Sequence, residues 1–238
     1  MSLRIALVTG AARGMGRAIA LRLAEDVSGV AVHYLTRRDE AQELAALLRE
    51  RGKLSAVFRA DLTKKAQAAG LVKKVEERFG RIDVLVNNVG TFLVKPWDQL
   101  EVADWEKVLR GNLLGSYFCL KAALPGMRKR KWGRVINIGY SRADQLGSFP
   151  TIVPYAVAKT GLLTLTRTAA VSEVGNGITV NMVSPGLIRG GALPPLKNVL
   201  EAQLGTYEDV AEAVAYCASD RAAAVTGANL VVAGTWKM

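Results

Sequence analysis

Tyr155 and Lys159 stand four residues apart in a segment of helical period, which places both side chains on one helix face. A free tyrosine, with a pKa near ~10, is a poor acid–base group at neutral pH. A neighbouring ammonium favours the phenolate, so the pair predicts a tyrosine whose pKa is lowered toward the useful range. Any amphipathic helix can carry an isolated Tyr-x3-Lys; what precedes it in the chain gives this one weight. Thr9-Gly10-Ala11-Ala12-Arg13-Gly14-Met15-Gly16 follows the apolar run Ile5–Val8 and opens directly into a helical stretch through Ala18, Ile19, Leu21, Leu23 and Ala24. Gly10 suits the tight turn, Gly14 lets the main chain approach a pyrophosphate, and Gly16 allows close helix–strand packing. The helix N-terminus adds unpaired N–H groups and positive potential. Strand, glycine turn and helix in that order are the context for binding a dinucleotide.

The residues after the second strand bear on which dinucleotide. A carboxylate about 20 residues past the glycine loop would hold the ribose 2′-hydroxyl of NAD. Here the corresponding stretch reads His33-Tyr34-Leu35-Thr36-Arg37-Arg38, and no carboxylate appears before Asp39. Guanidinium groups suit a dianionic 2′-phosphate, so Arg37 and Arg38 favour NADP(H). The competing reading is that these arginines merely begin a solvated helix.

These groups must be positioned by an alternation of short β-like runs and longer helical segments. Strands are expected at Ile5–Val8, Val30–Tyr34, Ser55–Phe58, Val84–Asn87, Arg134–Ile138, Thr179–Val183 and Asn229–Val232. Between them lie expected helices at Asp39–Arg51, Lys64–Phe79, Asp104–Met127 (interrupted at its end by Pro125-Gly126), Tyr155–Val174 and Tyr207–Ala218. Thr206 with Asp209 three residues on is a cap signal for the last helix. Val- and Ile-rich strands alternating with helices predict an α/β fold, a doubly wound Rossmann-type domain with a mostly or wholly parallel sheet of about seven strands. No linker or composition break divides residues 1–238, so a single domain is expected.

Composition narrows the class further. Half of the 238 residues are apolar, enough to build a large core, and no apolar run approaches the roughly 20 residues of a membrane span. The N-terminal apolar stretch is too short for a signal peptide. Two cysteines, Cys119 and Cys217, and one histidine, His33, make neither a disulfide framework nor an ordinary metal site. A soluble, reduced, cytoplasmic protein is expected. The net charge of +11 is unevenly placed: residues 1–134 carry 25 basic and 14 acidic side chains, and residues 135–238 carry seven of each. Such asymmetry fits nucleic acid, phosphorylated ligands or an acidic protein partner. The run Arg128-Lys129-Arg130-Lys131-Trp132-Gly133-Arg134 is the obvious nucleic-acid candidate, but no nucleic-acid fold signature accompanies it and only 6% of residues are aromatic. It reads better as a helix C-terminus whose cations complement the dipole, with Trp132 covering the core.

Taken in order, these motifs resemble the short-chain dehydrogenase/reductase family, whose loop reads Thr-Gly-x3-Gly-x-Gly. Asp61 in Ala60-Asp61-Leu62-Thr63 matches the family's adenine-contacting acid, Asn87-Asn88-Val89-Gly90 resembles its Asn-Asn-Ala-Gly, and Tyr155 to Lys159 is its Tyr-x3-Lys. The resemblance covers residues 4–233. It implies Gly10, Arg13, Gly14, Met15, Gly16, Arg37, Arg38, Asp61, Leu62, Asn88, Gly90, Tyr155, Lys159, Pro185, Gly186 and Ile188 as the NADP(H) site, Arg13 being similar to the loop cation of NADP-preferring relatives. It also implies that Lys159 bonds the nicotinamide ribose while Tyr155 protonates the carbonyl oxygen as hydride leaves the nicotinamide. Asn112 matches an asparagine that holds a proton-relay water, and its other reading, a polar residue satisfying a helix distortion, is compatible with that role.

The match fails at the family's serine. Alignment on the strand puts Tyr140 there and alignment on Tyr155 puts Arg142 there, because the stretch between them is about two residues longer. Ser141 is the expected hydroxyl, with Tyr140 and a protonated Asp144 as alternatives; pteridine reductases of this family carry an aspartate in that place. A threonine often found four residues past the Pro185-Gly186 glycine is Gly190 here, which leaves the Ile188 backbone to fix the nicotinamide ring. The lid, about residues 190–206 with Pro194-Pro195 and one helix at Leu196–Leu204, is short, which favours an open cleft for a long or carrier-borne substrate. Within that family the chain resembles 3-oxoacyl-acyl-carrier-protein reductases of fatty acid biosynthesis. That resemblance implies a 3-oxoacyl thioester on acyl carrier protein or CoA, a carrier protein docking near a basic patch at the site entrance, and a homotetramer built on the helices from Asp104 and Tyr155. The alternatives are a reductase of pteridines or small ketones and an NADP(H)-binding regulatory protein with little catalysis.

Overall fold

The computed structural model describes residues 3–191 and 204–234. Its framework is one seven-stranded, wholly parallel sheet of strands β1 (Ile5–Val8), β2 (Gly29–Tyr34), β3 (Leu54–Arg59), β4 (Val84–Asn87), β5 (Gly133–Ile138), β6 (Ile178–Pro185) and β7 (Asn229–Val232). They lie in the order β3-β2-β1-β4-β5-β6-β7. The helices are α1 (Gly14–Asp26), α2 (Arg38–Glu50), α3 (Lys65–Phe79), α4 (Val102–Leu109), α5 (Gly115–Arg130), α6 (Val153–Glu173) and α7 (Tyr207–Ala218).

Alternation along each strand feeds two cores. Ala6 and Val8 of β1, with Val30 and Val32 of β2, pack under α1, α2 and α7 against Ile19, Leu44 and Val214. Leu7 and Ala31 point to the opposite face, where Leu71 and Val75 of α3, Leu120 and Met127 of α5 and Ala170 of α6 cover them. Covering on both faces is why these strands read as unbroken apolar runs. Cys119 and Cys217 are free and buried, one in each core, and burial pushes their thiols up to about 12 and about 11.

The order in which strands are added reverses at β1, which pairs with β2 on one side and with β4 on the other. In open α/β sheets a ligand crevice forms outside the carboxyl ends of the strands at such a reversal. The glycine loop, Asn88 and Gly90 all emerge there.

Two helical expectations need correction. The long helix does not stop at Pro125-Gly126: α5 continues to Arg130 and ends at Lys131 with φ 54°. Its buried stripe of Cys119, Leu120, Ala123, Leu124 and Met127 runs past the proline, and that packing outweighs the missing N–H. The same expected helix is also broken near its middle, where a π turn, Arg110–Leu114, joins α4 to α5. The expected lid falls largely on residues 192–203, outside the described residues.

Candidate active site

The loop between β1 and α1 is held from three directions. Thr9 Oγ1 donates to the Val86 carbonyl (3.1 Å) and accepts from the Asn88 N–H (2.8 Å). Asn88 Nδ2 donates to the carbonyls of Thr9 and Gly10 at 2.9 and 3.3 Å. From β2, His33 Nδ1 accepts the Gly10 N–H at 3.0 Å, while Nε2 meets the Ala60 carbonyl at 3.1 Å. Accepting at one nitrogen and donating at the other requires neutral imidazole, and burial lowers His33 to about 4. Gly10 and Gly14 have φ of 64° and 55°, and a Cβ at Gly16 would lie 2.2 Å from the Gly10 carbonyl oxygen. Only glycine lets α1 approach the loop this closely. Arg13, the N-cap of α1, makes no side-chain capping bond, so the first-turn N–H groups lack a side-chain acceptor.

This loop borders a cleft of about 720 Å³ lined by Gly10, Ala12, Arg13, Gly14, Asn88, Val89, Gly90, Gly190 and Gly191, with Tyr34, Leu35, Thr36, Arg37 and Tyr207 completing the wall. An uncapped helix start, a cradle a Cβ would fill and a cation on either side fit a nucleotide bearing phosphates. Arg13 and Arg37 therefore stand on the wall, Arg37 also pairing with Glu40 at 3.2 Å, whereas Arg38 begins α2 off the wall. Asp61 lies past the end of β3, its carboxyl held below the usual range by the Thr63 hydroxyl. Leu62 is buried in the core beneath α3 and α5. Met15 packs against the core on the other face. His33 and Tyr207 did not stand out from the sequence as site residues. A lone histidine on β2 offers no pattern. Tyr207, one residue past the Thr206 cap, lines the cleft, where its hydroxyl donates to the Gly190 carbonyl at 2.6 Å, across 17 residues.

Next to Gly90, which lines the cleft, α6 delivers Tyr155 and Lys159. Lys159 is buried, and its Nζ donates to the Ile138 carbonyl at 2.7 Å, 5.6 Å from the Tyr155 ring centroid. Burial lowers the lysine to about 8. It acts oppositely on Tyr155, which desolvation, with a smaller contribution from Tyr140, holds well above the ordinary phenol value. The expected lowering by Lys159 is thus overturned in this geometry, where desolvation outweighs the ammonium. The shift keeps the proton on Tyr155 at neutral pH but makes it a weaker donor than a free phenol, so donation depends on the nearby Lys159 ammonium favouring the phenolate.

Asn112 lies in the π turn, and Nδ2 donates to the carbonyls of Thr91 (2.8 Å) and Val108 (2.9 Å). Its Oδ1 is buried and has no partner among the described residues. Gly90 makes room for it: a Cβ there would lie 2.5 Å from that oxygen and 3.6 Å from Lys159 Nζ. A π turn with an unsatisfied inward oxygen is a common sign of a functional position.

Of the three candidates for a second hydroxyl, Tyr140 touches Tyr155, with ring centroids 5.6 Å apart. Ser141 is fully buried, its Oγ unpartnered among the described residues and its N–H bonded to the Pro185 carbonyl (3.0 Å). Asp144 accepts from Asn229 Nδ2 at 3.4 Å. Gly186 donates to the Val232 carbonyl, and Ile188 is buried where it bridges to Gly205; neither lines the cleft.

The basic run lies elsewhere. Gly133 and Arg134 open β5 at the amino ends of the strands, away from the carboxyl ends where the site lies, so the run does not border the site entrance. Much of its charge is spent internally. Arg128 pairs with Glu173, Arg130 with the Ile82 carbonyl and Asp83, and Arg134 is buried against three backbone carbonyls. Trp132 sits between the guanidinium groups of Arg4 and Arg134, 4.2 and 4.4 Å from its ring.

A family model described as enoyl-(acyl carrier protein) reductase matches residues 10–235. The chain is 35% identical to the 3-oxoacyl-[acyl-carrier-protein] reductase FabG of Staphylococcus epidermidis, covering 96% of this chain and 97% of that protein. It is 37% identical to (2S)-[(R)-hydroxy(phenyl)methyl]succinyl-CoA dehydrogenase subunit BbsD of Thauera aromatica, over 97% of this chain and 95% of BbsD. A crystal structure from Sinorhizobium meliloti 1021, assigned to the short-chain alcohol dehydrogenases, superposes with a TM-score of 0.91 at 31% identity, covering 99% of this chain and 97% of that one. The chain belongs to the short-chain dehydrogenase/reductase family and is an oxidoreductase.

Proposed function

We propose that the protein reduces the carbonyl of a 3-oxoacyl thioester, on acyl carrier protein or CoA, with NADPH. The observation that carries this reading is the placing of Tyr155 and Lys159 together on α6, Lys159 Nζ lying 5.6 Å from the Tyr155 ring and against Gly90 in the wall of the glycine-loop cleft. Relatives named as 3-oxoacyl-[acyl-carrier-protein] reductases support the thioester. The cofactor preference rests on Arg13 and Arg37 in the cleft wall and the lack of a carboxylate before Asp39.

A bound reduced nicotinamide supplies a hydride to the carbonyl carbon. Tyr155 donates its hydroxyl proton to the carbonyl oxygen, and the Lys159 ammonium favours the phenolate left behind. Tyr140, in contact with Tyr155, is the proposed second hydroxyl to polarise the carbonyl. The unpartnered Asn112 Oδ1 would hold a water through which Tyr155 regains a proton. The same reading assigns Gly10, Gly14, Met15, Gly16 and Asn88 to the phosphates, Asp61 and Leu62 to the adenine, and Gly90, Pro185, Gly186 and Ile188 to the nicotinamide, although of these only Gly10, Gly14, Asn88 and Gly90 stand on the cleft wall. Arg38, at the start of α2 and off the cleft wall, would add a second, more distant cation for the 2′-phosphate. The proposed assembly is a cytoplasmic homotetramer built on α5 and α6, which expose Tyr117, Val157 and Val171.

NADPH oxidation with an acetoacetyl thioester tests this. Tyr155→Phe is expected to lower kcat by about 10²–10⁴-fold while leaving NADPH affinity intact. Cofactor binding without turnover of any carbonyl would sink the enzyme assignment.

A further inference from the structure

The chain has five phenylalanines and six tyrosines, and two of each meet at one place. Phe92 stands edge-on to Tyr155, with centroids 4.9 Å apart and planes at 87°. Tyr140 meets Tyr155 at 5.6 Å and 64°, and Phe149 extends the run 6.3 Å from Tyr140. Arg142 closes its far end, its guanidinium carbon 5.1 Å from the Phe149 centroid.

All four rings are partly open to solvent, Phe92 by 44%. Their frame is fixed, because Lys95 N–H donates to the Thr151 carbonyl and Trp97 N–H to the Pro150 carbonyl, each at 2.8 Å. The loop bearing Phe92 is thereby tied to the loop bearing Phe149. A contiguous exposed apolar surface usually marks a binding site, and this one surrounds the proton donor itself. Ring edges and faces set at steep angles offer a flat π system the offset and edge-on contacts that a linear alkyl chain cannot return.

We infer that the carbonyl reduced at this site carries an aromatic ring, as in an aryl 3-oxoacyl thioester. The inference rests on the carbonyl-reductase reading and narrows its substrate class. A carbonyl oxygen within hydrogen-bond reach of Tyr155 sets its substituent among Phe92, Tyr140 and Phe149. Hydride then adds to the carbonyl carbon and the Tyr155 proton to its oxygen. The C=O π bond is reduced to a benzylic alcohol, the nicotinamide is oxidised, and nothing else is consumed.

The test compares benzoylacetyl-pantetheine with acetoacetyl-pantetheine under NADPH. The aryl ester is expected to have at least tenfold higher kcat/KM, and Phe92→Leu and Phe149→Leu each to cut that ratio at least fivefold. Equal or better use of acetoacetyl-pantetheine, or a ratio that survives both substitutions, overturns the aryl class and leaves carbonyl reduction standing. Turnover of neither ester strikes at carbonyl reduction itself. The substrate class is then decided by calorimetry of 3-hydroxy-3-phenylpropionyl-pantetheine against 3-hydroxybutyryl-pantetheine on the NADPH-saturated protein. Tighter aryl binding that weakens in Phe92→Leu supports the aromatic pocket, and equal or weaker binding overturns it.

Discussion

Lys159 donates from Nζ to the carbonyl oxygen of Ile138 at 2.7 Å, so the last residue of β5 fixes the ammonium that α6 brings to the site. Burial lowers this lysine to about 8 against an ordinary 10.5. Its charge therefore costs stability below about pH 8, and the cost fades as pH rises from there to 10.5, where the unfolded chain also loses the proton. Lys159→Met is expected to be more stable than wild type at pH 7 by up to ~3 kcal/mol, with the difference gone above pH 10.5. Urea unfolding at the two pH values measures it. In the wild type, kcat for reduction should be flat up to pH 8 and fall above it as the ammonium discharges.

The second hydroxyl is decided by comparing Tyr140→Phe with Ser141→Ala. Loss of a positioned donor costs about 10²–10³ in kcat at comparable sites, and that loss is expected for Tyr140→Phe, which keeps the ring contact with Tyr155. Ser141→Ala removes a buried hydroxyl without a partner among the described residues, so its effect on kcat should be the smaller one. The reverse ranking would return the role to Ser141.

Arg37 faces the cleft with only an exposed partner, Glu40, to share its charge. A hydrogen bond to a charged group contributes about 1.5–3 kcal/mol, equivalent to roughly 10–100-fold in affinity. Arg37→Glu is accordingly expected to raise the KM for NADPH by at least tenfold and leave that for NADH unchanged or lower. An NADPH/NADH preference that does not move would remove the guanidinium from phosphate recognition.

His33 sets an acid limit. Its folded value, about 4, lies below the ordinary 6.5, so the fold favours the neutral ring, and stability is lost as pH falls from about 6.5 to 4. The full loss is about 3 kcal/mol. Protonation would also turn Nδ1 from acceptor to donor against the Gly10 N–H. In His33→Asn the decline in urea midpoint between pH 7 and pH 4.5 should be smaller than in wild type. An identical decline in both proteins would assign the acid sensitivity to other groups.

The framework was legible because each parallel strand is covered on both faces and announces itself as a short apolar run; β4 and β7 fall where the residue pattern puts them. The glycine loop and the Tyr155–Lys159 pair were legible because turn geometry and helical spacing are local properties. What the sequence hid depends on contacts between distant segments. Tyr207 meets Gly190 at the cleft, and Phe92 meets Tyr155 across 63 positions of chain. The sign of the Tyr155 shift was hidden for the same reason. Spacing reveals the ammonium nearby, but only the packed site shows how far water is excluded. The run at Arg128–Arg134 was legible as a helix C-terminus, where α5 indeed ends, but its distance from the site shows only once the strand ends are placed.

The closeness of Gly16 to the Gly10 carbonyl leaves the two sides of the cleft unequally held. One side is a wall without slack: α1 abuts the loop with no room for a methyl group, and Asn88 and His33 brace it from behind. The facing side is joined by the hydrogen bond from Tyr207 to Gly190, which one rotation of a phenol can release. The cleft is thus bounded by one braced side and by one that a single hydrogen bond ties, so losing the Tyr207 hydroxyl would loosen the second and leave the first as it is.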